Sequence, residues 1–341
     1  MGSRYWRLRL RRWPRHTPAR EGYTLLLPVP GDLPVFAQLA LTACARQRSA
    51  HRRSTIVLPD RPSPTINAAV EARQPSWPDE LRVQTFPAPE RWVLPYLKSG
   101  SRNHGLQLII GAGASDTTHV LLHDADLFPQ HPGLLDAQYR ACLDRNLACL
   151  GVSPVWDPWY ASHGLRLAAT WELCARVDWM RSFAPHLHIG HDGELFGESH
   201  TFDATLYPQA LTDRALVDFA PVEHDFVHFN YVITAYRHYQ RHGPGYVDDR
   251  FRLLLISLLS ELFHAPTPGL PALSVLAESL GDRGGVIAYP SHAEAPASYA
   301  LFREQLDRLL RTPWLVAEDV RRLDGPLAAF DQHYDYYPAS T

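Results

Sequence analysis

The amino-acid sequence predicts an α/β protein with a mostly parallel sheet flanked by helices. Short apolar runs alternate with segments of helical periodicity over roughly the first 150 residues, which is the pattern of consecutive βα units. The runs are apolar at successive positions, as in strands that are buried on both faces. After residue 245 the apolar pattern is helical only. This change predicts a helical C-terminal extension.

The predicted elements are bounded by proline, glycine and aspartate, which interrupt regular structure or cap it. Strands are expected at residues 23–30, 54–60, 81–87, 118–126 and 147–154. Helices are expected at residues 31–48, 101–114, 131–146 and 246–263, with one or two more within 297–323. Residues 156–245 are rich in Trp, Tyr and His, and we expect loops with short elements there.

Composition narrows the class of protein. The chain has 341 residues, of which 45% are hydrophobic and 20% charged, as is usual for a globular protein. The formal net charge of −3 excludes a nucleic-acid binder on electrostatic grounds. The sequence shows neither a transmembrane segment nor a secretory signal. The four cysteines have no zinc spacing, so a cytoplasmic location is expected.

Three regions are expected along the chain. Residues 1–21 form a basic arm rich in Arg and Trp, which we expect to be flexible. An alternative role for the arm is peripheral contact with a membrane surface. Residues 22–245 are expected to form the catalytic α/β domain, and residues 246–341 a helical region packed on it.

A pair of acids follows the fourth predicted strand. The apolar run Val120-Leu121-Leu122 leads into Asp124-Ala125-Asp126. If both acids continue the strand, their carboxylates share one face, and they lie at the edge where open α/β sheets bind ligands. Two close carboxylates repel each other, and a divalent cation removes that conflict. Oxygen ligands favour Mg²⁺ or Mn²⁺, which also bind substrate phosphates.

With these residues in view, the sequence resembles the GT-A fold glycosyltransferases, especially the family-2-like, DxD-containing nucleotide-sugar transferases. The segment LLLPVPGDLPVFAQLALTA is similar to the family's first strand and helix, and IVLPDRPS to its second strand. The segment SRNHGLQLIIGAGASDTTHVLLHDADLFP is similar to the family's helix and DxD strand. The resemblance covers roughly residues 22–155 and implies a Rossmann-like sheet.

The resemblance also implies roles for individual residues. Asp124 would face the ribose or the metal, and Asp126 would ligate Mn²⁺ or Mg²⁺. A late histidine completes the metal coordination in some of these enzymes, and His228 is a candidate. The nucleoside-binding candidates are Asp60 and the backbone near Pro28 and Pro30, and Arg102 or Asn103 would lie near the nucleotide.

An inverting enzyme of this family needs a carboxylate base, which lies roughly 90–110 residues after the acid pair. The sequence EHD at residues 223–225 stands at that distance. Asp225 is therefore the first candidate for the base and Glu223 the second. His224 stands where the family has an acid, and the QxxRW motif is missing, which disfavours a processive polysaccharide synthase.

The predicted function is a metal-dependent glycosyltransferase that uses a nucleoside-diphosphate sugar and a small-molecule, peptide or carrier-bound acceptor, in specialised metabolism. A GT-A-like nucleotidyltransferase is an alternative, although the loop PVPGDLP lacks the basic residue such an enzyme needs. A non-catalytic nucleotide-sugar-binding relic is another. A remote alternative is a zinc hydrolase that uses HLHIGHD at residues 186–192. The aromatic residues of WDPWY at 156–160 suit sugar faces, an apolar aglycone or packing within the loop.

Overall fold

The computed structural model describes residues 2–14, 19–93, 100–220, 225–243 and 245–337. Its strands are β1 (Arg20–Val29), β2 (Arg52–Pro59), β3 (Glu80–Val83), β4 (Thr117–His123), β5 (Leu127–Pro129), β6 (Cys149–Gly151), β7 (Glu172–Arg176), β8 (His191–Leu195), β9 (Glu198–Phe202), β10 (Val217–Phe219) and β11 (Phe226–His228). Its helices are α1 (Gly2–Arg9), α2 (Pro34–Ala45), α3 (Pro64–Arg73), α4 (Ala88–Val93), α5 (Gly100–Ala114), α6 (Leu134–Asp144), α7 (Pro158–Ser162), α8 (Val177–Ser182), α9 (Leu206–Ala210), α10 (Val232–His242), α11 (Val247–Leu262), α12 (Leu273–Glu278), α13 (Pro296–Leu310), α14 (Ala317–Arg321) and α15 (Asp324–His333).

The main sheet has seven strands in the order β10-β6-β7-β4-β1-β2-β3. Every neighbouring pair in it is parallel except the two that involve β7, which runs antiparallel between β4 and β6. The α/β class and the mostly parallel sheet predicted from the sequence are thus confirmed. Strand β7 was missed, because Glu172 and Arg176 interrupt its apolar pattern.

Helices cover both faces of this sheet because successive strand residues point to opposite sides. Leu26, Val120 and Leu122 share one core cluster with Leu108 of α5, and α8 contributes Met180 to the same cluster. Residues of the other parity face α6, where the ring of Tyr139 packs against Tyr23 and His119. The fully buried strands β1 and β4 therefore lie between two helical layers.

Strand β4 ends earlier than predicted. Regular pairing stops at His123, and Asp124-Ala125-Asp126 form the turn that joins β4 to β5. The strand periodicity therefore does not explain how the two acids are arranged. The positions of the two carboxylates depend instead on the residues that each of them contacts.

The described part of the N-terminal arm has a helix and a buried side chain. Residues Gly2–Arg9 form α1, and Trp6, 3% exposed, packs with Phe86, Leu106 and Ile109. The indole Nε1 of Trp13 donates a 2.8 Å hydrogen bond to the Phe183 carbonyl. Trp6 thus belongs to the protein core, and Trp13 is partly buried against it.

The chain divides into two compact units. The first contains the seven-stranded sheet and consists of Met1–Asp32, Cys44–Ala125 and His131–Phe226; the second consists of Leu33–Ala43, Asp126–Gln130 and Val227–Thr341.

In the second unit, helix α11 has nine buried residues, and the predicted helix at 246–263 is confirmed. The aromatic rings of Phe251, Tyr299 and Tyr334 pack together beside it, and the Tyr299 hydroxyl donates to Asp331 at 2.7 Å. Within the described ranges, no helix is long and apolar enough to cross a membrane.

Candidate active site

The carboxyl ends of β1, β2 and β4 meet at one edge of the main sheet. In the parallel register Leu26 lies opposite Leu122, and Val29 lies opposite Pro59. This is the edge at which ligands bind in open α/β sheets. Of the predicted nucleoside-binding residues, Pro28 stands near the end of β1 and Pro30 directly after it.

Asp60 holds the loop that follows β1. Its carboxylate, 5% exposed, accepts a 2.8 Å hydrogen bond from the Gly31 backbone N–H and lies 3.3 Å from Nε of Arg61. A Cβ atom at residue 31 would stand 2.4 Å from the Arg61 carbonyl oxygen, so only glycine fits there. Asp60 therefore shapes the loop expected to cradle the nucleoside. Its contact with a base or ribose remains a prediction.

Asp124 is oriented from two directions. Its backbone N–H donates to the Trp171 carbonyl at 3.0 Å, and its Oδ1 lies 3.1 Å from Nε2 of His104 on α5. Both side chains are about one-fifth exposed, so the pair is accessible to a ligand. The sequence did not single out His104. The available signal was its position beside Asn103, on the helix that precedes the acid-bearing strand.

Asp126 and His228 meet in the second unit. Strands β5 and β11 form a two-stranded sheet, and the Phe229 backbone N–H donates to the Asp126 carbonyl at 3.1 Å. This pairing sets Oδ1 of Asp126 3.7 Å from Nε2 of His228, with exposed side-chain fractions of 10% and 15%. The structure thus brings together two of the three predicted metal ligands.

Asp126 and His228 would supply one carboxylate and one imidazole to a Mn²⁺ or Mg²⁺ ion. Within the described parts of the chain, no group of three or more His, Cys, Asp or Glu side chains is arranged around a metal position. One carboxylate and one imidazole leave most coordination positions to phosphate oxygens and water, as is usual for cations that accompany phosphorylated substrates. An imidazole ligand favours a transition metal over Mg²⁺.

Of the candidates for the catalytic base, the structure describes only Asp225. Its carboxylate is 37% exposed and lies 3.8 Å from Nε2 of His131, directly before β11. Glu223 falls within residues 221–224, outside the described residues. A half-exposed carboxylate is available to accept a proton, and its role as a base remains a prediction.

The two residues predicted near the nucleotide lie at the start of α5. Arg102 lines a small cavity of about 80 Å³ together with Arg7, His186 and His191. The amide oxygen of Asn103 is buried and has no hydrogen-bond partner in the described part of the chain. A hydroxyl donor from a ligand would satisfy that oxygen. Contact of either residue with a nucleotide remains a prediction.

The HLHIGHD segment is part of the fold, and its His188 is not placed to serve as the zinc ligand of the remote alternative. The His188 ring is fully buried, its Nε2–H donates to the Met180 carbonyl at 2.8 Å, and the ring of Trp13 packs against it. His191 contacts the Ile189 carbonyl through Nδ1 at 2.7 Å. Burial lowers the pKa of His188 to about 4, which keeps the ring neutral. Burial also makes the ring inaccessible to a metal ion and to water.

A buried ion pair lies directly before the acid turn. His123 and Glu172 are opposite each other in the antiparallel β4–β7 register, and Nδ1 of His123 lies 2.6 Å from the Glu172 carboxylate with both side chains 0% exposed. Burial alone would lower the pKa of His123, but the Glu172 carboxylate raises it well above its usual range. The pair ties the end of β4 to β7 immediately before Asp124.

The order of these parts is that expected from the GT-A resemblance: a β1 loop held by Asp60, then α5, then an acid turn after the central strand β4. No protein-family model and no curated protein matches the chain. Solved structures do match it, and they include glycosyltransferases of the GT-A type.

A mannosyltransferase from Pyrobaculum calidifontis in complex with GDP-Man and Mn²⁺ matches 98% of this chain and 87% of its own, with 13% identity and a TM-score of 0.43. Glucosyl-3-phosphoglycerate synthase from Mycobacterium tuberculosis, with Mn²⁺, UDP-glucose and phosphoglyceric acid, matches 47% of this chain at 16% identity and a TM-score of 0.34. The chain spans 58% of that enzyme's length. At such identities and TM-scores, these similarities do not by themselves assign an activity.

Proposed function

We propose that this protein is a metal-dependent glycosyltransferase that moves a sugar from a nucleoside-diphosphate sugar to an acceptor hydroxyl. The observation that carries the proposal is the pairing of each acid in the turn after β4 with a histidine. Asp126 lies 3.7 Å from His228, and Asp124 lies 3.1 Å from His104. Carboxylate–imidazole pairs of this kind suit a cation and its phosphates.

Each part of the site has a task in this proposal. Asp126 and His228 hold Mn²⁺ or Mg²⁺, which when bound neutralises charge on the departing diphosphate. Asp124, kept in place by His104, orients the ribose or the metal shell. The Gly31 loop, held by Asp60, packs against the nucleoside, and Asn103 accepts a hydroxyl.

Transfer is proposed to be a single displacement that inverts the anomeric centre. The acceptor oxygen bonds to the anomeric carbon while the bond from that carbon to the diphosphate oxygen breaks. The bonding electron pair leaves with the nucleoside diphosphate, and the hydroxyl proton passes to the Asp225 carboxylate. Removal of such a base lowers the rate by about 10²- to 10⁴-fold, so Asp225→Asn is expected to reduce turnover without preventing donor binding.

A nucleotidyltransferase is a second candidate because of Arg61. The loop after β1 has no basic residue of its own, but the Arg61 guanidinium lies 3.1 Å from Asp32 and 3.3 Å from Asp60. The fold thus provides a cation beside this loop from the end of β2. The two reactions differ in their products, which are a nucleoside diphosphate in one case and pyrophosphate in the other.

The test is a product assay on the full chain with Mn²⁺. UDP-glucose and GDP-mannose, the donors in the matched structures, are tried first, followed by other UDP, GDP and TDP sugars. We expect nucleoside diphosphate release with one donor, abolished by EDTA and lowered about 100-fold by Asp126→Ala. Asp144→Ala changes an exposed acid at the end of α6 and should leave turnover unchanged.

Parallel reactions contain a nucleoside triphosphate and a sugar 1-phosphate. Pyrophosphate release in these reactions, without diphosphate release from any nucleotide sugar, would replace the glycosyltransferase proposal with the nucleotidyltransferase. Binding of a nucleotide sugar without turnover across an acceptor panel would favour the non-catalytic relic.

A further inference from the structure

A cavity of about 410 Å³ opens in the first unit next to Asp124. Its wall includes Trp171, whose carbonyl oxygen accepts the hydrogen bond from the Asp124 backbone N–H at 3.0 Å. The volume is within the range of about 300–1,000 Å³ in which protein pockets enclose small ligands. A ligand in this cavity would lie beside Trp171, which is hydrogen-bonded to Asp124 of the acid turn.

The wall of the cavity is aromatic and carries negative charge. Trp156, Tyr160 and Trp171 line it together with Asp157 and Asp203. Among the described residues that line it, none is Arg, Lys or His. Burial raises the pKa of Tyr160, and the two carboxylates raise it further, as expected where the local field is negative. Such a wall repels phosphorylated or carboxylated ligands.

The segment that follows Trp156 is fixed by hydrogen bonds and ring stacking. Asp157 caps α7 by accepting the Trp159 N–H at 2.9 Å, and it lies 3.2 Å from Nε2 of His200 on β9. The rings of Trp159 and His200 stack 4.0 Å apart with an interplanar angle of 5°. Trp156, the residue before this cap, is 79% exposed on the cavity wall. An exposed indole favours a ligand that brings a flat apolar face.

We infer that this cavity is the acceptor site and that it takes an uncharged sugar ring or its glycoside. The apolar face of the ring packs on Trp156 and Trp171, and its hydroxyls donate to Asp157 and Asp203. Hydrogen bonds from hydroxyls to carboxylates are among the stronger ones available in such a site. The inference rests on the proposed glycosyltransferase function and adds the chemical class of the acceptor to it.

The first arm of the test compares two matched probes by titration of intrinsic fluorescence. Glucose and glucose 6-phosphate present the same ring, without and with a phosphate, and methyl β-glucoside and further neutral mono- and disaccharide glycosides extend the panel. We expect saturable binding of a neutral glycoside, at least about tenfold weaker binding of its phosphorylated counterpart, and about tenfold weakening by Trp156→Ala. Trp92→Ala is the control, because Trp92 is 77% exposed but does not line the cavity.

The second arm separates this inference from the proposed function. Nucleoside diphosphate binding with Mn²⁺ is measured on the same preparations. If nucleotide binds but no neutral glycoside does, or if glucose 6-phosphate binds more tightly, the inference is overturned and the transferase proposal stands. If glycoside binding is sensitive to Trp156→Ala but no nucleotide binds, the cavity is a sugar site and the transferase proposal fails.

Discussion

At the scale of single residues, the candidate site depends on charged side chains that are buried and paired with each other. His123 and Glu172 are the clearest case, because neither side chain reaches solvent. Taking two charges out of water is costly, and their mutual attraction offsets that cost only while both are present. Removal of Glu172 leaves His123 buried without its counter-ion, so the ring loses its proton and the attraction between the two groups is lost.

Glu172→Ala should therefore lower the free energy of unfolding by about 3–5 kcal/mol. Urea denaturation followed by circular dichroism measures this change. The matched control is Glu80→Ala, which breaks an ion pair with Arg82 at the surface and should cost less than about 1 kcal/mol. Equal effects of the two substitutions would show that the His123–Glu172 pair does not stabilise the fold.

His188 gives a prediction for pH dependence. Its pKa is about 4 in the folded protein because the ring is buried, whereas an unfolded chain has a histidine pKa near 6.5. Between these values the unfolded state binds more protons, so stability is lost as the pH falls from about 6.5 towards 4. His188→Gln should reduce the slope of unfolding free energy against pH in that window. Parallel slopes for the variant and the wild type would contradict the assignment.

At the scale of elements, the pattern of apolar residues predicted the helices and strands that consist mainly of apolar residues. Helix α11 was predicted because its apolar residues repeat with a helical period, and strands β1 and β4 because each is a continuous apolar run. Strand β7 was not, since its charged Glu172 is stabilised by His123, 49 residues away in the sequence. His104 was not predicted as the partner of Asp124, because a contact between a helix and a strand end leaves no periodic signal in the sequence.

The N-terminal arm combines a basic composition with a buried aromatic residue. Seven of its first 20 residues are arginine, which is typical of a solvated terminus. The structure instead buries Trp6 in a cluster with Leu106 and Ile109 of α5. Charge on one side of a short helix does not prevent burial of the other side.

Trp6→Ala should accordingly destabilise the protein by about 3–5 kcal/mol, the usual cost of truncating a buried tryptophan. Leu8→Ala on the same helix is the control, because Leu8 is 79% exposed and should change stability by less than about 0.5 kcal/mol. Chemical denaturation of both variants measures the difference. An arm that is flexible in solution would give two equally small effects.

At the scale of the whole molecule, we expect the fold not to depend on the metal proposed for the site. Each unit has an apolar core of its own, in the sheet of the first and around α11 in the second. The four cysteines are free and buried. A metal that shares its ligands with substrate contributes to catalysis and not to folding, unlike a closed structural site.

EDTA should therefore abolish transfer but leave the melting temperature of the unliganded protein unchanged. Differential scanning calorimetry with and without the chelator measures the second quantity, and re-addition of Mn²⁺ should restore the activity. A chelator-induced drop in melting temperature would mean that a structural metal is present and that the catalytic assignment of Asp126 and His228 is wrong.

The most direct measurement of the central claim is thermal unfolding with nucleoside diphosphates, in the presence and absence of Mn²⁺. At a hundredfold excess over the dissociation constant, binding stabilises the folded state by about 2.7 kcal/mol. We predict such a shift for one nucleotide, only with Mn²⁺, lost in Asp126→Ala and His228→Ala and kept in Asp144→Ala. A shift that is independent of Mn²⁺, or that persists in the Asp126 and His228 variants, would contradict the proposed site.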